Sequence, residues 1–92
     1  MIPYTHTEPE VPGFHVKVEI TGSGTNPERD DLTFTMYKGE DLETGPTFAY
    51  GRAGLCHLYF ELVGYRPKDL PIAELVALVA GALLFRHYKE PA

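Results

Sequence analysis

Alternating apolar and polar residues predict two β-strands in the first half of the chain. Between Phe14 and Ile20 every second residue is apolar and the residues between are polar, which places the two sets on opposite faces of a strand. The same alternation recurs over about residues 31–38, after a connection rich in Gly, Thr, Asn and Pro. We therefore predict an antiparallel hairpin with a long loop.

Two shorter segments flank this hairpin. Residues 1–12 contain Pro3, Pro9 and Pro12, each of which removes a backbone donor and favours extended geometry. We interpret them as an arm, either lying along a sheet edge or mobile, and residues 13–92 as a single domain. Thr47–Tyr50 is a short candidate third strand.

The pattern over residues 53–63 fits either a strand or a helix, because apolar residues recur at both spacings. The end of the segment favours a helix. Gly64 stands where a helix ends in a left-handed residue, an apolar Tyr65 follows, and Pro67 comes soon after, an order typical of helix C-termini.

A second helix is predicted over about residues 70–88. Asp69 is a candidate cap, Pro71 suits the first turn, and Glu74 complements the positive end of the helix. Basic residues follow at the C-terminal end, where cations are favoured: Arg86, His87 and Lys89. The predicted fold class is α+β, a small antiparallel sheet of two or three strands followed by two helices packed on one face.

The run from Leu75 to Phe85 contains no polar side chain. As a helix it covers about 16 Å, against about 30 Å for the core of a bilayer. We therefore expect no membrane span.

This run makes the predicted helix apolar on every side, whereas a helix on a small sheet ordinarily has one polar face. A two-layer domain of 92 residues covers about two of its three faces. The arm and loops cover the third, or it is an interface with a protein partner or a second copy, and we expect a homodimer. The candidate interface residues are Ala73, Ala77, Gly81, Leu84, Leu78 and Phe85.

Charge narrows the choice of partner. Eight Lys and Arg residues stand against thirteen Asp and Glu residues, a net charge of −5, which argues against direct binding to nucleic acid or an anionic membrane. Two predicted loops hold six of the acids, which either keep the protein soluble or steer it onto a basic partner surface. These residues are Glu28, Asp30, Asp31, Glu40, Asp41 and Glu43.

Catalytic and cofactor motifs are weak. The single cysteine, Cys56, excludes an intramolecular disulfide framework, and its neighbour His57 points away from it on a helix or a strand. The histidines make no metal-binding spacing and the glycines no phosphate-binding pattern. We therefore expect no enzyme, metal or cofactor. The N-terminus lacks the features of a signal peptide, which indicates a cytoplasmic location.

The function predicted is a non-enzymatic, small acidic protein that binds proteins, self-associating or docking through its C-terminal helix. A phage-type inhibitor or accessory protein of a host factor is one form of it. One alternative is a small ligand-binding or catalytic domain that uses Cys56, His57 and Glu61. Another is a structural subunit of a symmetric assembly, for example a viral one.

Overall fold

The computed structural model describes residues 4–21 and 24–89, and over these residues the fold is α+β. An antiparallel sheet precedes two helices. The strands are β1 (Tyr4–His6), β2 (Phe14–Ile20), β3 (Asp31–Lys38), β4 (Asp41–Leu42) and β5 (Thr47–Tyr50), and the helices are α1 (Gly51–Val63) and α2 (Ile72–Lys89).

The sheet is built around the predicted hairpin. β2 and β3 pair antiparallel from Phe14 opposite Lys38 to Ile20 opposite Leu32. β1 pairs with the other side of β2, while β4 and β5 share the other side of β3, one at each end of it. The prediction of two or three strands was too low, because β1 and β4 have three and two residues, too few for a period of two to show.

One hydrophobic core lies between the sheet and both helices. The inward-facing residues of β2 and β3 meet apolar residues of the helices and are buried, apart from Phe14 and Ile20 at the ends of β2, which are partly buried. The principal members are Val16, Val18, Leu32, Phe34 and Met36 of the sheet, Leu55 of α1, and Leu75, Val76, Val79 and Leu84 of α2. α2 packs over β1 and β2, and α1 lies beside α2 and β5.

The predicted end of α1 is confirmed, whereas the predicted start of α2 is not at the capping residue we expected. Gly64 has a φ of 77° and its N–H bonds to the Phe60 carbonyl at 2.7 Å, which confirms the helix predicted over 53–63. α2 begins at Ile72, so Asp69 lies upstream of the capping position we predicted for it.

The predicted arm belongs to the domain from Tyr4 onward. Tyr4–His6 forms an edge strand against Val16–Val18 of β2, and Val11 is buried in the core with 1% exposure. Residues 1–3 of the arm lie outside the described residues. Among the described residues, no helix has the length and apolar character needed to span a membrane.

Candidate functional site

The surface of α2 that faces away from the sheet is apolar at its centre and charged at its ends. Successive helix residues are about 100° apart, so Leu75, Val79 and Leu84 point into the core while Leu78 and Phe85 lie on the outer side. Leu78 is 39% exposed. Leucine at the centre of an outward helix face is what a helix that packs on another surface presents.

A groove of about 720 Å³ runs along this outer side, and we call it the α2 groove. Its floor is α2, from Ala77 to Phe85, and α1 forms one wall with Tyr59, Leu62 and Val63. Val63 is 50% exposed. The groove is therefore a largely apolar depression over α2, with α1 along one side.

Charged residues mark the two ends of the groove along α2. Glu74 lies in the first turn of the helix, and Arg86 and Lys89 lie in its last turns. Each charge complements the helix end at which it stands. As a result, the groove has an acidic end and a basic end.

The wall opposite α1 comes from the arm and contains a chain of three hydrogen-bonded side chains. His6 Nε2 lies 2.5 Å from Glu8 Oε2, and His6 Nδ1 lies 2.5 Å from the Tyr4 hydroxyl. Because a carboxylate only accepts, Nε2–H donates to Glu8, and in the neutral ring Nδ1 accepts from the Tyr4 O–H. Burial and the nearby Glu8 charge raise the pKa of Tyr4, so the site disfavours a phenolate nucleophile.

The hydrogen-bonded side chains of His6 and Glu8 explain why α2 has a glycine, Gly81, in its middle. A Cβ on Gly81 would lie 3.1 Å from Glu8 Oε2 and 3.4 Å from His6 Nε2. The side chains of His6 and Glu8 are only 12% and 23% exposed, so they cover one flank of the helix. His6 was assigned no role from the sequence. The signal was available, because Tyr4, His6 and Glu8 are spaced by two, which places them on one face of a strand.

The candidate interface residues of α2 divide into three groups. Ala77, Leu78 and Phe85 line the groove, and Gly81 borders it but is buried beneath His6 and Glu8. Ala73 is exposed in the first turn and does not contribute to its lining. Leu84 is fully buried, since it lies about 120° around the helix from Leu78, and therefore cannot contact a partner.

The six acidic candidates do not form one surface. Glu28, Asp30 and Asp31 stand at one end of β3, and Glu40, Asp41 and Glu43 follow its other end, about 23 Å away at 3.3 Å per residue. Some of these acids also have intramolecular partners. Glu28 pairs with Arg52 at 2.6 Å, and Glu43 with His87 at 2.7 Å.

The residues of the alternative site do not converge either. His57 and Glu61 pair at 2.8 Å on the solvent side of α1, where both are more than half exposed. Cys56 Sγ faces the Pro67 carbonyl at 3.9 Å. None of the three lines the α2 groove, and within 4–21 and 24–89 no group of three or more His, Cys, Asp or Glu side chains could hold a metal.

The sheet face opposite the helices carries an aromatic cluster that sequence reasoning did not assemble. His15 stacks on Tyr37 with ring centroids 5.3 Å apart, and Lys17 lies over the same ring at 5.0 Å. Phe48 and Tyr50 are 53% and 66% exposed. His15 also lines a shallow depression of about 450 Å³ beside residues 5–14, but among the described residues the cluster has no charge pattern that would identify a ligand.

Comparisons with family models, with curated proteins and with solved structures found no match. The α2 groove and its charged ends are therefore the features of the described residues from which a function is inferred.

Proposed function

We propose that this chain is a non-enzymatic interaction protein that self-associates through the α2 groove. The observation that carries the proposal is the outer face of α2, where exposed Leu78 lies between an acidic end at Glu74 and a basic end at Lys89. Apolar side chains grouped on a surface favour association because burying them removes them from water.

The charges favour a second copy of the chain as the occupant. A helix with an acid at one end and a base at the other is complementary to the same helix running in the opposite direction. The net charge of −5 makes two copies repel at long range, so the attraction has to come from this local pattern and from apolar contact.

The other candidate functions have less support from the structure. The acidic loops are separated along β3, and Glu28 and Glu43 are engaged within the protomer, which weakens docking on a basic partner. None of Cys56, His57 and Glu61 lines the α2 groove, and the side chains of His57 and Glu61 are more than half exposed. The narrower expectations, a phage-type inhibitor and a viral assembly subunit, rest on composition alone.

Light scattering on matched variants tests the proposal. We expect a dimer at about 100 µM that dissociates toward about 1 µM, and Leu78→Glu should remain monomeric because its carboxylate would be buried at the interface. Leu42→Glu is the control, since Leu42 is 63% exposed and lies on β4, away from the groove. Circular dichroism verifies the fold of each variant.

Two results would overturn the proposal. One is a wild-type chain that stays monomeric throughout this range. The other is a dimer that Leu42→Glu disrupts and Leu78→Glu leaves intact.

A further inference from the structure

The groove residues of α2 form pairs about the midpoint between Gly81 and Ala82. Reversing the helix about this point exchanges Glu74 with Lys89, Leu78 with Phe85, and Gly81 with Ala82, and all six line or border the groove. At a rise of 1.5 Å per residue, Glu74 and Lys89 each lie about 11 Å from the midpoint.

We infer that two copies pack α2 against α2 in antiparallel orientation, about a two-fold axis through this midpoint. This inference rests on the proposed self-association and specifies its arrangement. Glu74 of each copy then meets Lys89 of the other, and Leu78 of each packs against Phe85 of the other. At the centre, Gly81 is covered by His6 and Glu8 of its own protomer, so the half-buried Ala82 is the small residue that lets the two helices approach each other.

The charges distinguish this arrangement from a parallel one. A parallel two-fold pair would place Glu74 against Glu74 and Lys89 against Lys89, and like charges in contact destabilise an interface. The antiparallel pair makes two attractive contacts instead, and it also aligns the helix dipoles favourably.

The flanks of the groove are compatible with this axis. A two-fold axis perpendicular to α2 keeps α1 of one copy on the same side as α1 of the other, so Val63 and Tyr59 of both copies extend the apolar contact. The arm walls lie together on the opposite side. There the two Glu8 carboxylates, each hydrogen-bonded to its own His6, oppose the pairing, so the apolar contacts and the Glu74–Lys89 pairs have to outweigh their repulsion.

A charge-exchange cycle tests the arrangement. Glu74→Lys and Lys89→Glu each turn two attractive pairs into two repulsive ones, and each should weaken the dimer about tenfold, or about 1.4 kcal/mol. The double variant Glu74→Lys with Lys89→Glu restores both attractive pairs, so its dissociation constant should return to within about threefold of wild type. The single-variant effects should shrink at about 1 M salt.

Matched controls carry the same changes of charge on the sheet side of the molecule. Glu40→Lys and Lys17→Glu, both at exposed positions, should leave the dissociation constant within about threefold of wild type.

The results of these experiments distinguish a failure of the antiparallel arrangement from a failure of the proposed self-association. If the double variant dimerises no better than the weaker single variant, while Leu78→Glu is monomeric, the α2 groove is the interface but the antiparallel pairing is wrong. A wild-type chain that never dimerises overturns both.

Discussion

Gly51, at the junction of β5 and α1, should be the least replaceable glycine among those described. Its φ is 66°, and its N–H bonds to the Asp30 carbonyl at 3.1 Å. A Cβ there would lie 2.7 Å from the Glu28 carbonyl oxygen and 2.9 Å from Arg29 Cα. Both contacts are with backbone, so Gly51→Ala has to displace the loop before β3.

The free energy of unfolding that Gly51→Ala should lose is the sum of a backbone contribution and a hydrogen-bond contribution. A left-handed backbone costs a residue with a Cβ about 1–2 kcal/mol. Moving the loop also weakens the Gly51–Asp30 and Arg52–Glu28 backbone hydrogen bonds, at about 1 kcal/mol each. The sum of about 3–4 kcal/mol is a large fraction of the stability of a chain this size and corresponds to a fall in Tm of roughly 15–25 °C.

Alanine variants of two other glycines measure the cost of the left-handed backbone in the absence of a steric clash. Gly64 and Gly39 have φ values of 77° and 61°, and a Cβ on either would meet nothing within 4 Å. Their alanine variants should lose only the cost of the left-handed backbone, about 1–2 kcal/mol. Urea unfolding followed by circular dichroism measures all three at one protein concentration, because dimerisation couples stability to concentration. Equal losses at Gly51 and Gly64 would show that the contact between a Cβ at position 51 and the loop before β3 costs nothing.

Two further predictions concern pH. Hydrogen bonds from Arg52 hold the pKa of Glu28 below its ordinary value, against an opposing desolvation effect, so this stabilisation is lost as pH falls through the folded-state pKa. Between about pH 5 and about pH 3 the Tm of wild type should therefore fall more steeply than that of Arg52→Gln, and parallel curves would count against the pair. Burial and Glu8 raise the pKa of Tyr4, so its contribution is present below the unfolded-state pKa and disappears as pH rises through the folded one. Phenolate absorbance should show one of the six tyrosines ionising late, and a late step that persists in Tyr4→Phe would contradict this.

The sequence predicted those elements whose signal is local and long enough to repeat. The alternation in β2 and β3 set their bounds, and Gly64 with the residues after it identified the end of α1. The three-residue β1 and two-residue β4 form through pairing with neighbouring strands, which a single-sequence pattern does not contain.

The candidate site was predictable in part for a similar reason. The apolar run in α2 pointed to Leu78 and Phe85 as interface residues, and of these Leu78 is exposed while Phe85 is half-buried against the core. It could not show that Leu84 enters the core or that His6 and Glu8 cover Gly81, since both depend on how α2 lies on the sheet and on the position of the arm. The sequence also could not show that the two acidic segments are far apart, because their separation follows from their positions at opposite ends of β3.

Sedimentation equilibrium of the unmodified chain measures whether it self-associates and whether the assembly stops at a dimer. Over micromolar concentrations the apparent mass should rise from 10.3 kDa to twice that value and then stay constant, because a two-fold interface closes on itself. A mass of 10.3 kDa at every concentration would contradict self-association through α2, and a mass that continues to rise beyond the dimer would contradict its two-fold symmetry.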